Sequence, residues 1–216
     1  MDQHLPHQGF PRQELKYLLW FPLYLLLFLL LERLPFQSFW YTQLPIDAAI
    51  PFCEWFAIPY CLWYPFLICV GLYLLFRDIP SYRRYMKFLA ITFFASELIW
   101  FLLPNAQALR PAVFPRENLL SAVMGFLYSI DTNTNVFPSV HVVGSIGAAL
   151  AILDAQPLKQ NHLIRWSAAV LAALISVSIV FVKQHALLDL LGGIALSLLA
   201  AVWVYAPKND KKTEVN

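Results

Sequence analysis

Residues 163–182, LIRWSAAVLAALISVSIVFV, and residues 186–206, ALLDLLGGIALSLLAAVWVYA, are two apolar runs separated only by Lys183-Gln184-His185. A helix of about 20 mostly apolar residues crosses the roughly 30 Å hydrocarbon core of a bilayer. Inside that core every backbone polar group must be satisfied within the chain, which leaves helices as the natural form for such runs. The stretch therefore reads as two membrane-spanning helices joined by a three-residue polar turn.

The pattern continues upstream, in segments 17–31, 56–76, 86–103 and 137–153, giving six spans. The first is slightly short, and the second contains Pro59 and Pro65 and should kink. The first also starts too far in, and is too leucine-rich without a small-residue cleavage site, to be a removed signal peptide. Composition agrees. Of 216 residues, 60% are hydrophobic and 13% charged, whereas soluble domains carry roughly 25% charged residues. Too few polar side chains remain to cover a soluble core, and disorder is excluded for the same reason. The expected fold is all-α: a polytopic, six-transmembrane-helix bundle. It forms one domain over 1–216, with polar, mobile ends at 1–14 and 208–216.

Basic residues set the orientation. With a cytoplasmic N-terminus, the inner side holds Arg12, Lys16, Arg77, Arg83, Arg84, Lys87, Lys159, Arg165, Lys208, Lys211 and Lys212. The outer side holds Arg33, Arg110, Arg116 and Lys183. This bias puts both termini in the cytoplasm. No targeting signal or long eukaryotic-style tail is evident, which points to a bacterial plasma membrane. The net charge of +2 gives no reason to expect nucleic acid. Cys53, Cys61 and Cys69 are odd in number and lie in or beside apolar segments, so they suggest neither a disulfide framework nor a zinc site.

Three polar groups then fall on the outer side: Arg110-Pro111, the run from Asp131 to His141, and Lys183-Gln184-His185 with Asp189. The spacing of four should put His185 and Asp189 on one helix face, where the carboxylate can fix the imidazole tautomer. His141 follows Pro138 and Ser139, which mark a helix start. Free N–H groups there form an anion site, and Ser139 can cap the helix or donate to an oxyanion. Taken singly, His141 reads as interfacial decoration and Arg110 as a snorkelling side chain. Together with the His185/Asp189 pair they read as a site. Arg110 and Lys183 are candidate phosphate cations. Glu97, about 9 Å inside its helix end, has a structural role or serves a proton relay.

Two histidines, a carboxylate and one or two cations at an anion-friendly helix start resemble a metal-independent phosphoryl-transfer site. The acidic cluster needed to hold magnesium is missing, and no closed zinc ligand set is visible. No cofactor is expected.

FPSVH at 137–141, KQHALLD at 183–189 and Arg110-Pro111 resemble, in order and spacing, the three motifs of the type 2 phosphatidic acid phosphatase superfamily, over roughly 103–189. That superfamily includes lipid phosphate phosphatases and vanadium haloperoxidases. The resemblance implies His185 as a nucleophile forming a phosphohistidine, Asp189 as its partner and His141 as general acid. It implies Arg110 and Ser139 as phosphate ligands and matches Ser178 to the serine of the third motif. Leu103, Val140 and Ile179 stand where the pattern has lysine, glycine and arginine. The runs Asn135–Ser139 and Lys183–His185 look closest to the inositolphosphotransferase branch, related to inositol phosphoceramide synthases. The expectation is a membrane lipid phosphatase or phosphoesterase acting at the outer face on a lipid phosphate, pyrophosphate or phosphodiester. A head-group transferase is the nearest alternative. A non-catalytic anionic-lipid-binding or transport protein is the alternative from another class. Oligomeric state is not encoded in these features.

Overall fold

The structure, a computed structural model, describes residues 11–206. Among these, eight α-helices carry the fold: α1 (Trp20–Leu31), α2 (Ala57–Cys61), α3 (Trp63–Arg77), α4 (Ile79–Leu102), α5 (Leu119–Ile130), α6 (Val140–Asp154), α7 (His162–Phe181) and α8 (Leu187–Tyr205). The described residues are otherwise helical or loop, apart from one two-stranded parallel pairing, β1 (Trp40–Tyr41) with β2 (Asn105–Ala106), and an isolated bridge from Ala106 to Thr134.

Among the described residues, five helical stretches are long and apolar enough to cross a membrane: Arg12–Leu31, Glu54–Arg77, Ile79–Leu102, His162–Phe181 and Leu187–Tyr205. They make this an integral membrane protein. Five of the six expected spans are among them. The fourth, expected over 137–153, is α6, whose 15 residues are about 22 Å long at 1.5 Å per residue. That is short of the hydrocarbon thickness, and its surroundings supply the reason. α6 packs against α3, α4, α7 and α8 and is buried along most of its length. A central helix need not meet lipid at either end, so it can begin below the surface. α5 was not anticipated; its 12 residues form a shorter apolar helix beside α2.

The second span is divided at Leu62, which closes α2 and opens α3 between Pro59 and Pro65. The N-terminal reading needs correction. Residues 12–14, expected to belong to a polar end, open a 3-10 helix at Arg12–Leu18, and Glu14 is buried against Arg83 (Nε to Oε2, 2.8 Å). An ion pair to α4 outweighs solvation there. Residues 1–10 and 207–216, the remainder of the expected polar ends, lie outside the described residues.

The connections after α1, after α4, between α5 and α6, and between α7 and α8 gather at one end of the bundle. Trp40 N–H donates to Pro104 O, Gln107 N–H to Asn133 O, and Leu187 N–H to the Asp47 carboxylate. The opposite end is tied by Arg83–Glu14 and Arg84–Asp154.

Candidate active site

Two loops carry the expected motifs, and a buried segment of three residues joins them. Asn105 accepts the N–H groups of Val136 and Phe137 on Oδ1, at 2.8 and 2.7 Å, so it fixes the loop that leads into α6. Gln107 donates from Nε2 to the carbonyls of Lys183 (3.0 Å) and Gln184 (3.3 Å) in the other loop. Both side chains are fully buried. Buried polar groups that are hydrogen-bonded on several sides specify one geometry, and here that geometry brings residues 136–141 to residues 183–189.

Close approach of the two helices does the rest. A Cβ on Gly193 of α8 would lie 2.7 Å from Val142 Cβ and 3.0 Å from Ser139 O, and one on Gly192 would strike the Phe137 ring. Only glycine lets the start of α6 lie this close to α8. In that arrangement Ser139 N–H donates to Asp189 O at 3.2 Å.

His185 sits between the loops, 7% exposed. Its Nδ1 is 3.0 Å from the carbonyl of Val136. A carbonyl can only accept, so in the neutral ring Nδ1 carries the proton and Nε2 the lone pair. Nε2 lies 3.3 Å from Ser139 Oγ, which can donate to it. Asp189 Oδ2 is 3.5 Å from Nδ1. The two residues do meet, though not as neighbours on one helix face. α8 begins at Leu187, so His185 precedes it and Asp189 occupies its first turn, where Oδ2 accepts Ala186 N–H at 2.8 Å. The carboxylate therefore caps the helix while flanking the imidazole, and the closer orienting group is the Val136 carbonyl.

His141 lies in the first turn of α6, with ring centroid 5.6 Å from that of His185. Tyr60 stacks on it at 4.6 Å and Trp63 lies at 4.6 Å on a tilt. This packing fixes the ring plane. Its Nδ1 is buried with no hydrogen-bond partner among the described residues. Ser139 stands at the N-cap of α6 but makes no side-chain cap bond, its hydroxyl being turned to His185. The first N–H groups of α6 thus keep the anion-binding capacity of an uncapped helix start.

Both expected phosphate cations are engaged by the protein itself. Arg110 donates to the carbonyls of Tyr128, Asp131 and Thr132 and to Gln184 Oε1. Its guanidinium joins the end of α5 to the His185 loop, and burial lowers its pKa, opposed chiefly by Asp131. Lys183 is 6% exposed and its Nζ donates to Asp47 O at 2.8 Å. Burial lowers the ammonium pKa and the Asp47 carboxylate opposes this. The structure brings Ser139, His141, His185 and Asp189 together, and reaches them from Arg110 through Gln184. It does not bond Lys183 to any of them. Ser178 is buried, its hydroxyl donating to Ile175 O. Glu97 is buried in α4, and neither carboxylate oxygen meets ordinary hydrogen-bond geometry with a described residue.

Sequence reasoning missed several residues that position this site. Asp47, fully buried, accepts Leu44 N–H at 2.7 Å and Leu187 N–H at 2.8 Å, capping α8 from a distant loop. Glu32 collects Thr132, Thr134 and Asn135 of the loop before α6. Asp131, which heads the polar run seen in the sequence, accepts on Oδ2 from Gln184 Nε2 at 3.3 Å, and burial raises its carboxyl pKa, with His185 and Arg110 opposing. A carboxylate in an otherwise apolar stretch, as at Asp47, was the one available signal.

A family model described as the PAP2 superfamily matches residues 27–203. The chain belongs to the PAP2 superfamily. The match runs from within α1 to within α8 and takes in every site residue described above. This membership supports a phosphatase or phosphoesterase type of activity. No curated protein and no solved structure matches the chain significantly.

Proposed function

We propose that the chain cleaves or transfers a phosphate-linked lipid head group at the outer membrane face through a phosphohistidine on His185. The observation that carries this reading is the disposition of His185. Val136 O holds the proton on Nδ1, and Nε2 faces Ser139 at the mouth of an uncapped helix. Nε2 attacks phosphorus, and the bond from phosphorus to the leaving oxygen breaks as His141 delivers a proton to that oxygen. His141 then takes a proton from water or an acceptor hydroxyl, whose oxygen attacks phosphorus and expels Nε2. The Ser139 hydroxyl and the first N–H groups of α6 hold the phosphoryl oxygens, and Arg110 adds positive charge through its contact with Gln184. Asp189 flanks Nδ1 and stabilises the imidazolium. In this reading α6 is the fourth of six crossings and internal to the bundle, both termini are cytoplasmic, and the substrate is a lipid phosphate, pyrophosphate or phosphodiester.

Transfer to a hydroxyl acceptor, as in the inositolphosphotransferase-like branch, is favoured by one feature. Arg110 and Lys183 already hold protein acceptors, while the carboxylates of Asp131 and Glu32 bond Gln184 and Asn135 of the two site loops. A phosphodiester with a single negative charge needs less neutralisation than a doubly charged monoester.

The test is a screen of detergent-purified protein against phosphatidate, phosphatidylglycerophosphate, polyprenyl pyrophosphate and inositol lipids, with His185→Ala as blank. Turnover is expected to fall at least ~10⁴-fold in that variant, with its melting temperature retained. Activity retained by the purified variant sinks the assignment. Products formed with and without added polyol separate transfer from hydrolysis.

A further inference from the structure

At the end of the bundle opposite His185, the first 3-10 helix, the start of α4 and the end of α8 enclose a cavity of about 860 Å³. Four cations line it, Lys16, Arg83, Arg84 and Lys87, against one lining carboxylate, Asp154. The arginines are committed: Arg83 to Glu14 and Arg84 to Asp154 at 2.6 Å. The lysines are not. Neither has an ion pair among the described residues, and each ammonium rests near an aromatic face, Lys16 5.4 Å from the Tyr17 centroid and Lys87 4.5 Å from that of Trp203. Trp20 and Tyr205 also line the cavity with their rings, while the indole N–H and the phenol hydroxyl are themselves buried.

A second observation indicates what kind of molecule fits. Trp20 and Met86 are shared with a groove of about 330 Å³ whose walls are almost wholly apolar, running along α1 and α3 as far as Trp63. A cationic chamber therefore adjoins an apolar trough, with Trp20 and Met86 lining both. A small soluble anion would use the first and leave the second empty. A phospholipid uses both, with phosphate at the lysines and an acyl chain in the trough.

We infer that this chamber and groove form a binding site for an anionic phospholipid, separate from the site at His185. The lipid lies between α1, α3 and α4, its head group on Lys16 and Lys87 and its acyl chain along the apolar groove. Such a lipid would clamp α1, otherwise lipid-exposed on most of its surface, to the catalytic bundle.

The experiment uses the full chain carrying His185→Ala, which keeps turnover out of the measurement. Dioleoyl phosphatidylglycerol and dioleoyl phosphatidylcholine are titrated into delipidated protein and the retained lipid is read by native mass spectrometry. Phosphatidylglycerol should be retained preferentially. The double substitution Lys16→Ala/Lys87→Ala should weaken its binding roughly 30-fold, and Lys16→Arg/Lys87→Arg should keep it. Both lysines are exposed side chains, so the variants should fold, which their melting temperatures check. Equal retention of the two lipids, or unchanged phosphatidylglycerol binding in the alanine variant, overturns the proposal.

Discussion

Two helices begin at the candidate site, and their first turns are finished in opposite ways. The start of α8 is closed by two carboxylates, Asp189 on Ala186 N–H and Asp47 on Leu187 N–H. The start of α6 has a serine at its cap position whose hydroxyl is spent on His185 instead. Helix starts carry partial positive charge and unpaired donors. At α8 the protein neutralises that potential internally, so this helix is framework. At α6 it leaves the potential unspent beside two histidines, which is what an anionic ligand needs.

The contrast can be broken by substitution. Asp47→Ala removes both accepted N–H bonds of a fully buried carboxylate, and a loss of about 3 kcal/mol is expected in denaturant titrations of the purified protein. Asp47→Asn should recover part of it. Ser139→Ala should do the reverse, cutting kcat/KM about a hundredfold while changing stability by less than about 0.5 kcal/mol. Were Ser139 an ordinary cap, its loss would cost about 1 kcal/mol; a cost of that size with activity intact would erase the distinction. Gly193→Ala forces α8 away from Val142 and Ser139 and should cost about 2 kcal/mol, lowering turnover through a displaced Ser139. Lys183→Met, which frees Asp47 O, should cost about 1 kcal/mol and leave KM for a phosphate substrate within about twofold. A tenfold rise in KM would move Lys183 into the phosphate-binding set.

The spans were legible because hydropathy over about 20 residues is a one-dimensional quantity. Five of the expected six recur as long apolar helices, with ends within two residues except at the starts of the first and third, which lie five and seven residues earlier. α6 shows the limit of that reading. Residues 137–153 look like any other span, yet the helix is short and central, and only its neighbours make that length sufficient. The site divides similarly. Pro138-Ser139 correctly marked the start of α6, and His185 and Asp189 do approach each other, but through a helix cap rather than a shared helix face. Arg110 and Lys183 illustrate what charge alone leaves open. Both are cations near the site, and both are taken up by backbone carbonyls that no spacing rule would name.

By itself the sequence determined that this chain lives in a membrane, where its long apolar helices lie, and which few polar residues are candidates for chemistry. These follow from local hydropathy and from the cost of placing ionisable groups near lipid. Only the tertiary structure decided which polar groups pair with each other. Asn105, Gln107, Asp47 and Glu32 reach their partners across 31 to 140 residues of chain. Hydrogen bonds depend on distance and direction in space, which residue order along the chain does not record.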